Sequence, residues 1–245
     1  MGIINNLTGR FGEASIANHL GWSNLFGYNG KILRNVYIPK NDGSTTEIDL
    51  LFITQKGIFV IESKNYIGYI FGRDTDNYWT VSVYKGKSFF GRTKTEKHKF
   101  YNPIKQNKGH IKWLSSFLNY EVPMFSCIVF SDRGELKSVD ISSSTDTIVC
   151  NKSDLNRNIR FLWKAYPDVL SEIDVDEIYN CLLSHTNANA ALKKQHIESI
   201  KEKQSICPVC GKALVVRTAS KGVNIGKSFY GCSGYPQCKY TRNIN

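Results

Sequence analysis

The stretch from Glu47 to Lys64 constrains this chain more than any other. Two apolar, β-branched runs, Ile48-Asp49-Leu50-Leu51-Phe52-Ile53-Thr54 and Ile58-Phe59-Val60-Ile61, flank the short segment Gln55-Lys56-Gly57. Such runs around a glycine-bearing turn predict a β-hairpin. Three charges are set into the strands: Asp49, Glu62 and Lys64. Side chains alternate along a strand, so Ser63 points away while Glu62 and Lys64 share a face, one that Asp49 reaches from the paired strand.

Two carboxylates brought together repel unless a cation lies between them, and Mg²⁺ takes such hard oxygen ligands with water completing its shell. A lysine beside the ion orients or deprotonates an attacking water, or stabilises charge on a phosphate. An acidic residue followed by Glu-x-Lys is therefore the minimum apparatus for phosphodiester cleavage with Mg²⁺ or Mn²⁺. Taken alone the pattern is loose, and it also describes a strand face bearing a salt bridge.

A length of 245 residues allows one sizeable domain and a small appendage. No apolar run approaches the roughly 20 residues needed to span a bilayer. The N-terminus, Met1-Gly2-Ile3-Ile4-Asn5-Asn6, lacks a basic leader, and Asn6 stands where myristoylation requires serine or threonine. The expectation is a soluble cytoplasmic protein with no membrane partner. The net charge is +11, and Ala191 to Asn245 holds ten Lys and Arg against two Glu, so most of the excess lies in the tail. A basic tail suggests a polyanion, most often nucleic acid.

Along the chain, Thr8 to Leu20 predicts a helix capped by Thr8, with Glu13 either facing solvent or leaning toward the hairpin as a third carboxylate. Lys31 to Ile38 predicts a strand. After the hairpin, Tyr69 to Gly72 and Trp79 to Tyr84 are expected to extend the same sheet as a meander. Lys85 to Lys99 predicts a basic loop, with Lys94 and Lys97 among its six cations, which either holds a phosphate backbone or is an ordinary surface loop. Asn102-Pro103 marks the start of a helix to Leu118, with Ile104, Ile111, Leu114 and Leu118 on its apolar stripe and Gln106, His110 and Trp113 on a second face. Glutamine so placed orients water or phosphate through both donor and acceptor groups. Phe125 to Phe130 and Thr147 to Cys150 predict strands, and Asp154 to Ala165 and Asp174 to Ser184 predict helices. The fold class is α/β, a mixed sheet flanked by helices. Domain limits are expected at residues 1–186 for this core, with its motifs within 9–118. Residues 187–204 are read as a helical linker and 205–245 as a cysteine-bearing module.

Seven cysteines are present, and four of them fall in two groups, Cys207-Pro208-Val209-Cys210 and Cys232 with Cys238. That pattern suits one tetrahedral Zn²⁺ in a reducing compartment, not a disulfide framework. Four thiolates leave no open position, so the zinc is structural and supplies folding energy to a segment with little core. Phe229, Tyr230, Tyr235 and Tyr240 alternate with Lys227 and Lys239, a composition suited to stacking on unpaired bases, although some rings must pack the module's own core. Cys127 and Cys150, in apolar strands, are expected to be buried inert thiols.

Residues Gly9 to Leu118 resemble the NERD (nuclease-related) domain, placed among the PD-(D/E)xK restriction-endonuclease-like folds. The resemblance rests on Gly9-Arg10-Phe11-Gly12-Glu13, Glu47-Ile48-Asp49, Gly57-Ile58-Phe59-Val60-Ile61-Glu62-Ser63-Lys64 and Asn102-Pro103-Ile104-Lys105-Gln106. It implies that Glu13, Asp49 and Glu62 are metal-site carboxylates, Lys64 the catalytic lysine and Gln106 an accessory active-site residue. No proline precedes Asp49. Cys207 to Thr241 resembles the C-terminal zinc ribbon of bacterial type IA topoisomerases, which implies binding of single-stranded DNA. Together these give a metal-dependent deoxyribonuclease with a tethered DNA-gripping ribbon. The alternatives are a non-catalytic DNA binder on a nuclease-like scaffold, and a protein acting on RNA.

Overall fold

The computed structural model describes residues 15–18, 20, 29–87, 93–119, 121–142, 146–186, 190–220 and 225–244. The chain divides into two compact units, Gly2–Leu192 and Lys193–Asn245. Among the described residues no helix is long and apolar enough to cross a membrane.

The first unit is built on a five-stranded mixed sheet. Strands β1 (Gly30–Pro39), β2 (Thr45–Thr54) and β3 (Gly57–Lys64) pair antiparallel, and β7 (Met124–Phe130) and β9 (Thr147–Asn151) continue parallel from β3. Near-continuous apolar runs in β2, β3 and β7 reflect burial on both faces. On one face, Leu51, Ile53, Ile58 and Val60 pack under α1 (Pro103–Leu118) and α3 (Glu172–Leu183), through Leu114, Leu118, Val175, Ile178 and Leu182. On the other, Leu50, Phe52, Phe59 and Ile61 meet Ile16 and Leu20 and α2 (Leu155–Ala165), through Leu155 and Ile159. Cys127 and Cys150 lie in this second layer, where burial pushes both thiols up, Cys150 to about 12, and keeps them un-ionised.

A separate four-stranded sheet, in the order β6-β5-β4-β8, corrects the expected meander. It comprises β4 (Gly68–Arg73), β5 (Tyr78–Lys87), β6 (Thr93–Tyr101) and β8 (Gly134–Asp140). Ile70, Trp79 and Val81 on one face pack on Ile104 of α1 and on Ile128 and Phe130 of β7. The expected basic loop is also corrected, because β5 continues to Lys87 and β6 begins at Thr93, so Lys94 and Lys97 lie in a strand. The β6 sequence Thr-Lys-Thr-Glu-Lys-His-Lys is exposed on both faces of an edge strand and so lacks apolar alternation. Strand β8, which no sequence signal announced, is another polar edge whose alternation is broken by a register shift between Ile70 and Phe71 in its pairing with β4.

In the second unit, α4 (Ala190–Ser205) crosses from the first and leads to β10 (Leu214–Thr218), β11 (Ser228–Cys232) and β12 (Thr241–Asn243), an antiparallel ribbon around four cysteines.

Candidate active site and zinc centre

The hairpin turn is tight. Thr54 pairs with Gly57 across Gln55-Lys56, and Gly57 has φ +127° with the Pro123 carbonyl oxygen 2.3 Å from where a Cβ would stand. No L side chain fits that conformation and that neighbour, so glycine fixes the register. With Leu50 opposite Ile61, alternation puts Asp49 and Glu62 together on the α1 face. Asp49 Oδ2 accepts from the Ser63 N–H at 2.8 Å. Glu62, only 2% exposed, is bonded by Lys64 Nζ at 2.5 Å on Oε1 and by His110 Nε2 at 3.1 Å on Oε2.

Helix α1 brings the remaining groups. Its N-cap, Asn102, is fully buried: Oδ1 accepts from the Ile104 N–H at 2.9 Å, and Nδ2 donates to the carbonyls of Arg73, Asp74 and Asp76 at 3.1, 3.0 and 2.7 Å. The cap thus ties the helix to the β4–β5 turn. One turn on, Asn107 Nδ2 donates to the Val60 carbonyl at 2.8 Å and the Ser126 hydroxyl at 3.0 Å, pinning α1 onto β3 and β7. Gln106 Oε1 then accepts from Lys64 Nζ at 3.0 Å, while His110 Nδ1 meets the Thr46 hydroxyl at 2.7 Å. The structure therefore gathers Asp49, Glu62, Lys64 and Gln106. Glu13 lies outside the described residues. His110 and Thr46 join the cluster without having been singled out as site residues. The available signal was that Gln106 and His110 stand four apart on one helix, but a lone buried histidine has many structural uses.

Burial opposes the charge on both Glu62 and Lys64. For Glu62 the Lys64 ammonium and the His110 hydrogen bond outweigh it and hold the carboxyl below its ordinary value. For Lys64 the Glu62 carboxylate outweighs it, with Asp49 adding to the effect, so the ammonium lies above its ordinary value. At neutral pH the pair is ionised. Asp49 and Glu62 present an oxygen-only donor set suited to Mg²⁺ or Mn²⁺, and Glu62 is held in the deprotonated form that a metal ligand requires.

In the ribbon, the four sulfurs lie within 4.8 Å of one another, with Cys207 and Cys238 3.6 Å apart and Cys210 and Cys232 3.3 Å apart. A tetrahedral ion with ~2.3 Å bonds to sulfur needs edges of about 3.8 Å, so the cradle fits Zn²⁺. Burial opposes the Cys207 thiolate, but the Val209 and Cys210 amides outweigh it and hold the thiol at about 7, and the Gly234 N–H reaches Cys232 at 3.3 Å. Burial and the neighbouring sulfurs push Cys232 up to about 12 when no cation neutralises the group. Tyr240 packs against the cysteines, whereas Tyr235 is exposed beneath Arg217, and Arg242 lies 4.9 Å over the Tyr230 ring. A cleft of about 640 Å³ is lined by Arg217, Phe229, Tyr235, Lys239 and Tyr240. Lys227 is exposed just before β11, and its carbonyl accepts from the Ala219 N–H at 2.9 Å.

Comparison with known proteins gives two family matches. The nuclease-related domain model matches residues 8–131, and the topoisomerase DNA-binding C4 zinc finger model matches residues 204–245. An uncharacterized protein of Bacillus anthracis is 31% identical over 173 residues, covering 70% of this chain and 74% of that protein. DNA topoisomerase 1 of Methanocaldococcus jannaschii is 48% identical over 46 residues, which is 19% of this chain and 5% of the topoisomerase. No solved structure matches the chain significantly. With the hairpin motif, the Asn102-to-Gln106 helix start and the four-cysteine ribbon all inside the matched segments, the chain belongs to the nuclease-related domain (NERD) family and carries a topoisomerase-type C4 zinc ribbon at its C-terminus.

Proposed function

We propose that the protein is a DNA phosphodiesterase dependent on Mg²⁺ or Mn²⁺, with a zinc ribbon that holds single-stranded DNA. The observation that carries this reading is the convergence of Asp49, Glu62, Lys64 and Gln106 at the end of β3 under α1. Asp49 and Glu62 would hold the metal, with Glu13 assisting, and the metal would supply charge neutralisation at the phosphate and leaving oxygen. Lys64, bonded to the Glu62 carboxylate, would orient or activate the attacking water or neutralise a phosphate oxygen. Glu62 and Gln106 take two of its three N–H donors and the third serves the substrate. Gln106, whose carbonyl oxygen is engaged by Lys64 and whose amide nitrogen lies 3.4 Å from His110 Nε2, would offer its remaining N–H to a phosphate oxygen or the attacking water. Water attacks phosphorus in line with the departing oxygen: one P–O bond forms as the other breaks, the water gives up a proton and the departing oxygen takes one up, so no proton is gained or lost overall.

The ribbon's exposed Tyr235, with Phe229, Tyr230 and Lys239, suits stacking on unpaired bases beside phosphates. Tethering the ribbon to the nuclease-related core raises its effective concentration on the same strand.

One observation favours a second reading, a binder without catalysis: both Glu62 oxygens already have donors within the protein. Linear and circular DNA, single- and double-stranded, and RNA in parallel, incubated with wild type and Glu62→Gln in Mg²⁺, in Mn²⁺ and without added divalent ion, separate the two. Hydrolysis by wild type in either metal, abolished in Glu62→Gln while DNA binding persists, is the expected result. DNA left intact by wild type in both metals establishes the binder, and degradation of RNA alone moves the substrate.

A further inference from the structure

The outer face of the β6-β5-β4-β8 sheet carries an arrangement that neither the active site nor the ribbon uses. One face of this sheet is committed to the core through Ile70, Trp79 and Val81. Alternation therefore turns Tyr69, Tyr78, Tyr84 and Tyr101 to the opposite face, where they are 47, 60, 60 and 50% exposed. Lys97 and Lys99 of β6 share that parity, two and four residues from Tyr101, whereas Lys94 has the parity of the core-facing Phe100. Lys137 Nζ, bonded to Glu135, stands 5.3 Å over the Tyr69 ring. Tyr78 and Tyr101 meet edge to face at 6.1 Å.

Exposed lysines on an edge strand also guard against strand pairing, and that need would account for Lys97 and Lys99. It does not account for four tyrosines set out on the same face, each 47–60% exposed. Polar residues would serve a solvated sheet face better. From Tyr78 to Tyr84 the rings span about 20 Å along β5, enough for several nucleotides. Strand β4 begins at Gly68, four residues after Lys64, so Tyr69 lies within about 18 Å of chain from the active-site lysine.

We infer that this sheet face is a stacking platform for unpaired DNA, with tyrosine rings against bases and Lys97 and Lys99 beside the phosphates. Extended aromatic side chains on an open β-sheet face, with cations between them, recognise single strands without reading sequence. The inference takes its ligand from the DNA reading above but needs no hydrolysis, so its test stands apart from that of the nuclease.

Full-length, zinc-loaded protein without other divalent ions is cross-linked by ultraviolet light to a 5-bromodeoxyuridine-substituted oligonucleotide, and the adducts are mapped by peptide mass. Adducts on peptides bearing Tyr69, Tyr78, Tyr84 or Tyr101 are expected. Tyr78→Ala/Tyr101→Ala should weaken oligothymidylate binding about tenfold or more, while Tyr78→Phe/Tyr101→Phe, which keeps both rings, should hold wild-type affinity. Circular dichroism of the alanine pair should match wild type, since both rings lie at the surface. Adducts confined to the ribbon, together with unchanged affinity in the alanine pair, overturn the platform. A changed oligomeric state with unchanged affinity would overturn it too, assigning the face to a protein contact.

Discussion

His110 stands between Glu62 and Thr46, with Nε2 3.1 Å from the Glu62 carboxylate and Nδ1 2.7 Å from the Thr46 hydroxyl. A carboxylate only accepts, so Nε2 carries a proton, and the Thr46 hydroxyl donates to Nδ1 when the ring is neutral. The chain of bonds Thr46–His110–Glu62 fixes one carboxylate oxygen, while Lys64 fixes the other. His110 is thus a positioning residue in the proposed chemistry. His110→Ala should cost about 1–3 kcal/mol by orphaning the buried carboxylate and hydroxyl. It should also raise the Mg²⁺ or Mn²⁺ concentration needed for half-maximal hydrolysis. A thermal melt with an activity titration in metal checks both, and an unchanged metal requirement would confine His110 to a structural role.

The Glu62–Lys64 pair sets a pH window. Glu62's carboxyl is lowered in the folded state, so its contribution is present above the unfolded carboxyl value and lost as pH falls through the folded one. Lys64 is raised, so its contribution is complete below the unfolded lysine value and lost as pH rises through a higher one. The pair therefore stabilises the fold throughout the neutral range and fails only at the acid and alkaline ends. Lys64→Met leaves a buried carboxylate with one donor fewer and should destabilise by about 3 kcal/mol at neutral pH. That loss should shrink as pH falls and Glu62 protonates. Glu62→Gln/Lys64→Met should recover part of it. Urea denaturation of wild type, Glu62→Gln, Lys64→Met and the double variant across pH tests the cycle, and a pH-independent Lys64→Met deficit would contradict the pairing.

Asn102 carries more of the site's geometry than its distance from the chemistry suggests. Its amide holds three carbonyls of the β4–β5 turn and its oxygen caps the helix that presents Gln106 and His110. Asn102→Ala should cost about 2–4 kcal/mol, the loss of a helix cap joined to buried carbonyls left without a donor. Asn102→Asp keeps the cap oxygen but loses the amide donor, so it should remain destabilised. Chemical denaturation distinguishes these, and an Asp variant as stable as wild type would show that the cap alone matters.

Much of this centre was readable from sequence because its logic is local. Alternation along β3 put Glu62 and Lys64 on one face, Gly57 fixed the register, and Asn102-Pro103 announced the helix start. The rest depended on non-local pairing. His110 becomes informative only when β2 brings Thr46 and β3 brings Glu62 to it, separations of 64 and 48 residues. Strands β6 and β8 escaped for a different reason. Edge strands exposed to water need no apolar alternation, so Thr93 to Lys99 reads as a loop although it pairs with β5.

The ribbon offers the sharpest dependence on metal. Among its described residues, the buried hydrophobic cluster is Cys207, Cys232 and Cys238, with Leu214 and Tyr240 packed against them. So small a core supplies little stabilisation, and the four sulfurs repel as thiolates unless a cation neutralises them. Cys207→Ser removes one ligand, so bound zinc should fall from one equivalent toward none, and amide protection across β10, β11 and β12 should collapse to that of an unfolded segment. Protection in β1 to β3, whose stability comes from apolar layers on both faces, should stay at wild-type levels. Hydrogen exchange with metal analysis checks both halves. Affinity for single-stranded DNA should fall in the same variant, and if it does not, the ribbon serves a different partner and the sheet tyrosines carry the strand alone.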